Sequence, residues 1–549
     1  MDLLNLMRHP EQGRRLTEII KVLVRYRLAD WLKDVPFQSL REMLSSSEAR
    51  AMRERPHGER LRLALTDLGT TFIKMGQVLS TRADLVGPEI AEELRKLQAD
   101  TPADAPEVVK ALIEEELGES PDALFASFEA KAFASASIGQ VHRAQLKDGQ
   151  AVVIKVQHDA IQEKVRVDLE LLLALAQLLQ EYVPDARPYQ PVAITREFRR
   201  TLLRELDFTC ERRNMEEFTR NFAEDTTIHI PVVHRSLCSR RVLTMECLEG
   251  IPGSKPEKIV ESGVDLTEFA KAAANIFLNM IFRDGFYHAD PHPGNLMLLE
   301  GGILGLLDCG MVGRIDGSTR EWFEGLLLML LQGDSDGLCD MLLQMGSHPD
   351  DIDRAGFRTD VSDLLVQYGS QSLDEFDLGG ALNELTDIVR RHQVLIPPPA
   401  ALLIKTLVML EGTSRLLSPT FSLAELLEPH KEQLIRDQMN PRRWLKHLHR
   451  SVRDIDRLVK QGPRHIAEIL ERLQSGKLKV KHEIVSLEVT VNRIVTGILI
   501  ASLFMGSSRL VTGAMASGSK GIFWFGLLGC LTAMSWGIQL LWMIRKKLK

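Results

Sequence analysis

The chain has 549 residues, of which 44% are hydrophobic, 26% charged and 6% aromatic. That is an ordinary globular composition, and it excludes wholesale disorder and fibrous repeats. The net charge is −7, which argues against a dominant nucleic-acid surface. The charge is uneven: residues 436–549 carry net +13, so residues 1–435 carry −20. The six cysteines, at 210, 238, 247, 309, 339 and 530, form no Cys-x-x-Cys pair. They read as free thiols of a reducing compartment, with no disulfide framework and no zinc motif. The N-terminus has neither a signal-peptide apolar run nor a presequence pattern.

In chain order, residues 1–120 read as a helical extension. Leu61, Leu65, Leu68, Phe72 and Met75 recur at helical spacing, and Ile90, Leu94 and Leu97 continue it after Pro88. The texture then changes to strands over Phe128–Val156, with Asp148-Gly149 marking a hairpin turn. Residues 161–225 return to helical periodicity, interrupted near Val183–Pro191. Strand candidates follow at 228–234 and 240–250. From 265 to about 430 the pattern is mainly helical. A small β-rich lobe, 121–250, therefore precedes a helical lobe, 251–435.

A basic segment, 436–493, leads to two apolar stretches within 494–544. Ile494–Ala516 holds one charge, Arg509, and Gly521–Ile544 holds no Asp, Glu, Lys or Arg. Each has the length of a membrane span. The pair reads as a transmembrane hairpin, with Gly497, Ala501, Gly513 and Ser517 as the small residues of close approach. The basic flanks place the body in the cytoplasm and attract anionic lipid headgroups.

The chemistry-bearing residues cluster at 286–313, in FYHADPHPGNLMLL and LGLLDCGMVG. Apolar runs bracket Asp290, Asn295 and Asp308, which places them at the ends of short strands. Phosphoryl transfer from ATP needs oxygen ligands for Mg²⁺, a group that orients the attacking hydroxyl, and a cation on the phosphates. Asn295 and Asp308 supply oxygens for a hard cation, and Asp290 can accept a proton. Lys155, in AVVIKVQ, is the cation. Its carboxylate partner is assigned to Glu211, with Glu205 and Glu197 as alternatives. His288 reads as a structural histidine.

These residues resemble a protein-kinase-like fold. HADPHPGN is also similar to the catalytic loop of small-molecule kinases. IKMGQVLSTRADLVGPEIAEEL looks like the KxGQ motif of the UbiB family, the atypical kinase-like proteins of coenzyme Q biosynthesis (the ADCK proteins in animals). FASASIGQVH resembles that family's Ala-rich loop, and RELDF its ExD motif. The paired C-terminal stretches look like its bacterial members.

The resemblance implies an α+β, bilobal kinase-like fold with an N-terminal helical extension and a C-terminal transmembrane hairpin. It implies ATP and Mg²⁺ as cofactors. The loop Phe133, Ala134, Ser135, Ala136, Ser137, Ile138, Gly139, Gln140 and Val141 would cover the phosphates. The hinge Met245, Glu246 and Leu248 would hold adenine. Lys74 and Gln77 would regulate by meeting Glu205 and Asp207. The implied role is ubiquinone biosynthesis at a bacterial inner membrane, through ATP-driven handling of prenylated quinone precursors or organisation of the biosynthetic enzymes. A small-molecule or lipid kinase and a nucleotide-sensing lipid-binding scaffold are the alternatives, and homodimerisation is allowed for. Two departures from ordinary kinases stand out. DFG is replaced by Asp308-Cys309-Gly310, and no APE-like sequence follows Gly310. Both count against peptide phosphorylation.

Overall fold

The computed structural model describes residues 10–28, 55–80, 82–97, 102–349, 351–369, 376–427, 487–517 and 520–546. The expected basic segment at 436–493 lies, up to residue 486, outside the described residues.

The extension is helical, as its periodicity predicts. Helices α1 (Pro10–Arg25), α2 (His57–Leu68), α3 (Thr70–Ser80) and α4 (Pro88–Arg95) pack on the body. The apolar run from Leu61 to Met75 is broken in two by Gly69. Its φ of +89° ends α2 and restarts the chain as α3, a conformation that costs glycine little. Gly76 lies where α3 crosses its neighbours. A β-carbon there would fall 2.8 Å from Leu65 and closer still to Leu97. Helix α1 is fixed by Arg15, which donates to both carboxylate oxygens of the buried Asp168 and to the Leu68 carbonyl.

Helix α5 (Pro106–Leu117) covers the small lobe's sheet. That sheet contains β1 (Ser127–Phe128), β2 (Ala134–Ser135), β3 (Gly139–Gln145) and β4 (Ala151–Gln157). Val152, Ile154 and Val156 of β4 pack against Val109, Leu112 and Ile113 of α5. Strand alternation therefore turns Val153 and Lys155 to the opposite face. The β3–β4 turn places Gly149 at φ +91°. Helices α6 (Ile161–Tyr182) and α7 (Pro191–Glu205) flank a 3₁₀ turn at Pro184–Tyr189, where the periodicity lapses. Helix α8 (Phe208–Asn221) is capped by Asp207, whose carboxylate accepts from Thr209 N at 3.0 Å.

One expectation is corrected here. The segment 228–234 is not one continuous small-lobe strand. It divides: β5 (Ile228–His229) pairs in parallel with a strand from the larger lobe, and only the segment's far end, at Val233, makes an antiparallel bridge to Met245 of the small-lobe sheet. The chain thus visits the larger lobe before returning to complete the small-lobe sheet with β6 (Val242–Glu246), in the order β1-β3-β4-β6 with β2 on β3. Local pattern cannot reveal this, because pairing partners are distant in sequence.

The larger lobe is mainly helical, with two small sheets at its mouth. Strands β5, β10 (Leu304–Leu306), β9 (Leu296–Leu298) and β7 (Ile251–Pro252) form one; β8 (Phe286–His288) pairs with β11 (Val312–Arg314) in the other. Helix α9 (Leu266–Asn279) and helices α10 (Gly317–Gln332), α11 (Ser335–Met345), α12 (Arg354–Gly369), α13 (Leu378–Arg391) and α14 (Pro398–Leu417) build its core.

The C-terminal unit is separate. Helices α15 (Leu487–Ser517) and α16 (Lys520–Lys546) pack against each other. Of the small residues that sequence spacing singles out, Gly513 is not a point of close approach, since a β-carbon on it would meet nothing within 4 Å. The helices do come close at Gly526, which lies against Ser507 and Val511, and at Gly529, which lies against the Ser507 side chain. Among the described residues, one segment, Val495–Met515, is long and apolar enough to cross a membrane. Ile498, Leu499, Met505, Phe525, Leu528 and Trp536 are exposed.

Phe218 on α8 is fully buried, 4.6 Å from the Phe286 ring and 6.4 Å from His288. Phe218→Ala should destabilise the body by about 3–5 kcal/mol, read as a lowered urea midpoint of the detergent-solubilised chain. A change under about 1 kcal/mol would mean that the site collapses onto the cavity.

Candidate functional site

The site lies where β4, α8 and the ends of β8 and β10 converge. Lys155 projects from the face of β4 opposite the apolar one and reaches Glu211 on the first turn of α8, with Nζ 2.8 Å from Oε2 and 3.1 Å from Oε1. Asp308 Oδ2 lies 3.7 Å from the same ammonium. Glu211 is 5% exposed. Burial pushes its pKa up, and Lys155 opposes that push. Burial also disfavours the charged lysine, but Asp308 and Glu211 more than offset it, and the Lys155 pKa is raised. The ammonium in turn pulls the Asp308 carboxyl down to about 2, with the Gly310 N–H assisting. A depressed carboxylate pKa means the ionised form is the one held in the fold. That contribution is complete above the ordinary carboxylate range and is lost only as pH falls toward about 2.

Asp308 is one of five non-glycine residues with positive φ among the described residues, at +26°. Neighbours hold this sparsely populated conformation. Its carbonyl accepts from His288 Nε2 at 2.7 Å, and the next carbonyl, that of Cys309, accepts from Asn214 Nδ2 at 2.9 Å. His288 is fully buried, and its other nitrogen, Nδ1, accepts from the Asp290 backbone N–H at 3.2 Å. The two partners require the neutral Nε2–H tautomer. His288 is structural, as its sequence context suggests, and it ties both acidic residues to one ring. Asn214 is a site residue that motif spacing does not single out. It sits on α8 one turn past Glu211.

The catalytic-loop residues close on themselves. Asn295 Nδ2 donates to Asp290 Oδ2 at 3.2 Å and to the Asp290 carbonyl at 3.1 Å. With its amide nitrogen so engaged, Asn295 has its carbonyl oxygen left for a hard cation. That oxygen and the Asp308 carboxylate are of the hard donor type that would hold Mg²⁺. His292 Nδ1 accepts from Gly294 N at 3.0 Å, so that imidazole shapes its own loop.

The Ala-rich loop divides into two parts. Phe133, Ala134 and Ala136 are exposed and Ser135 and Val141 half-buried, while Ser137, Ile138, Gly139 and Gln140 are buried. The Gln140 side chain is spent internally, accepting from Asp104 N and meeting His142 Nε2 at 2.8 Å. Ile138 joins the hydrophobic core. A β-carbon on Gly139 would fall 2.5 Å from the Val156 carbonyl. The buried half therefore supports the loop, and the exposed half is what a phosphate could meet. The hinge also differs from expectation. Met245 is a paired strand residue, and the Glu246 carboxylate is committed to His229 and the Val232 N–H. The N–H groups of Glu246 and Cys247 already bond Val232 and Ala151 carbonyls. Among the described residues, the Leu248 N–H has no partner, and it is the hinge donor left for a ligand.

The KxGQ residues part ways. Lys74 Nζ lies 2.7 Å from Glu205 Oε1 and joins α3 to the end of α7. Gln77 does not reach the ExD carboxylates; its amide donates to the Leu97 carbonyl at 3.2 Å. Asp207 likewise serves its own helix as the α8 cap, with the Arg240 guanidinium 3.6 Å away.

Lys155→Met leaves Glu211 buried without its cation. It should cost about 3–5 kcal/mol, and the double variant Lys155→Met/Glu211→Leu should recover most of that loss in urea unfolding. Additive losses would mean the pair is not coupled. The pH profile gives a second check. Because the Asp308 pKa is lowered to about 2, Mg²⁺-dependent nucleotide binding should not titrate with Asp308 between about pH 5 and 8. Titration of the Asp308 carboxyl itself between about pH 5 and 8, followed by carbon NMR, would contradict this.

Three family models match the chain. The ABC1 atypical kinase-like domain covers residues 96–342, the UbiB helical domain 361–422, and the ABC1/UbiB kinase-like C-terminal domain 479–546. The probable protein kinase UbiB of Pseudomonas putida is 33% identical over 475 residues, covering 85% of this chain and 87% of that protein. Its counterpart in Azotobacter vinelandii is 33% identical over 480 residues, covering 86% and 89%. A solved structure, the Rv3197–erythromycin complex of Mycobacterium tuberculosis, is 25% identical, covers 66% of this chain and 93% of that one, and has a TM-score of 0.46. With a bilobal kinase-like body and relatives matched along most of their length, the chain belongs to the UbiB family of atypical kinase-like proteins.

Proposed function

We propose that this protein is a membrane-anchored, Mg-ATP-dependent ATPase that supports ubiquinone biosynthesis. The observation that carries the reading is the Lys155–Glu211–Asp308 cluster, tied through the His288 ring to Asp290 and its partner Asn295. Bound Mg-ATP would supply the phosphoryl group. Lys155 neutralises phosphate charge, Asn295 and Asp308 offer oxygens to the metal, and Asp290 orients the attacking oxygen and takes its proton. The attacking oxygen is that of water in this reading. Only two residues, Ile315 and Asp316, separate β11 from α10. That leaves no extended segment after Asp308 on which a peptide substrate would dock, which disfavours protein phosphorylation.

The membrane role rests on Val495–Met515 and on the apolar residues exposed along α15 and α16. We assign the pair as a hairpin anchor, with the body on the cytoplasmic side of a bacterial inner membrane. The basic segment 436–493 would then meet anionic headgroups. The link to ubiquinone comes from the family resemblance and from the name of the relatives. ATP turnover would drive access to prenylated precursors or organise the enzymes that modify them. A small-molecule kinase is the second reading, favoured by the HADPHPGN loop.

Wild-type full chain in anionic nanodiscs should hydrolyse ATP. Asp308→Asn should abolish Mg²⁺-dependent nucleotide binding, and Asp290→Asn should keep binding while lowering turnover by about 10²-fold or more. ATP hydrolysis unaffected by either substitution would end this reading. Label from γ-³²P-ATP appearing on a phenolic lipid instead of free phosphate would select the kinase.

A further inference from the structure

His158 follows the last residue of β4, three positions after Lys155, and is 6% exposed. Its contacts lead to the Ala-rich loop. The tip of that loop, residues 136–138, joins β2 to β3, and the Ala136 N–H closes it by donating to the Gly139 carbonyl at 2.9 Å. His158 holds the tip at two points. Its backbone N–H donates to the Ile138 carbonyl at 3.0 Å, and its ring Nε2 lies 2.9 Å from the Ala136 carbonyl oxygen. The other ring nitrogen, Nδ1, lies 3.0 Å from Oδ2 of Asp104, in the segment between α4 and α5. That oxygen also accepts from the Asp159 N–H at 3.1 Å, and the Asp104 N–H donates to Gln140 Oε1 at 2.6 Å.

Both ring partners are oxygens that accept. A ring that satisfies the two donates from both nitrogens, as an imidazolium, whereas the His288 ring donates from one nitrogen and accepts at the other. The bonds to Ala136 and Asp104 are then charge-assisted. Ala136 is the residue at which the exposed part of the loop ends and the buried part begins. Beyond it, the backbone N–H groups of Ser137 and Ile138 have no partner among the described residues. Buried N–H groups are rarely left so, and a phosphate oxygen that meets Ala136 is an acceptor for them. Strand pairing sets Val141 beside Lys155 and Gly139 beside Gln157. The pinned tip therefore stands just past the ammonium along β4.

We propose that His158 is a positioning residue for the nucleotide: its ring, braced by Asp104, holds the Ala136 carbonyl and so fixes the loop tip where phosphate meets it. The imidazolium and Asp104 bridge the extension side of the molecule to the loop. The loop is thus placed by a side chain outside its own sequence. This deepens the proposed function and rests on that reading for the identity of the ligand. The pin itself needs no nucleotide.

The test compares wild type, His158→Leu, His158→Arg and Asp104→Ala as full chains in nanodiscs. Without nucleotide, hydrogen exchange of the peptide spanning 134–140 should be about tenfold faster or more in His158→Leu, because a charge-assisted bond is lost. Mg-ATP should bind that variant about tenfold more weakly, and the KM for ATP should rise by a similar factor. Its kcat should stay within about twofold of wild type, because Lys155, Asp290 and Asp308 are untouched. His158→Arg should restore slow exchange and most of the affinity, since its fork can donate to both oxygens and keeps the charge. Asp104→Ala should shift both readouts in the direction of His158→Leu by a smaller factor, and covers the case in which His158→Leu fails to fold. Unchanged exchange in both variants, unchanged affinity despite faster exchange, or a kcat that falls as far as KM rises would each overturn the positioning role. An arginine variant that recovers neither readout would overturn the two-donor bridge. No Mg-ATP binding by wild type, with the exchange difference in place, would instead overturn the proposed function and leave the pin standing.

Discussion

Everything in the cleft depends on one ammonium among acids. Lys155 is the point where the small-lobe sheet, helix α8 and the Asp308 segment meet. Its charge opposes the burial that pushes the Glu211 pKa up, and it lowers the Asp308 pKa. Buried ion clusters are poor sources of stability. Their presence at the junction of two lobes makes better sense as a requirement of the site than as a contribution to the fold.

Much of this arrangement is legible in the sequence. The alternation in AVVIKVQ predicts the face that Lys155 occupies, because one-sided burial and period-two geometry leave no other choice. The partner of that lysine is harder to read, since Glu205, Glu211 and Glu197 all lie on helices of the right length. The structure resolves the choice by burial. Glu211 opens α8 beneath the sheet, Glu205 ends α7 within reach of Lys74, and Glu197 faces Arg82 at 3.7 Å.

What the sequence could not reveal is non-local. The pairing of Ile228 with Leu304 spans both lobes, and nothing in IHIPVVH distinguishes a strand of one sheet from that of another. Gln77 was misplaced for a similar reason. A side-chain amide bonds whichever carbonyl comes near, and α4 brings the carbonyl of Leu97. Small-residue spacing in the C-terminal helices suggested Gly513, but the facing surfaces meet at Gly526 and Gly529. Spacing constrains which residues share a face, not which face the partner covers.

The clasp on the Asp308 segment has a consequence for control. In kinases with a DFG sequence, the phenylalanine's packing sets active and inactive positions of the aspartate. Here Cys309 is buried in its place, the Asp308 carbonyl is held by His288 and the Cys309 carbonyl by Asn214. Swinging the aspartate out would strip two hydrogen bonds and turn the Cys309 thiol out of the core. The Asp308 carboxylate is therefore a fixed fitting and not a lever. Compounds that stabilise an out-swung aspartate would find no cavity prepared for them, and selective ligands for this fold would have to work from the extension side of the cleft.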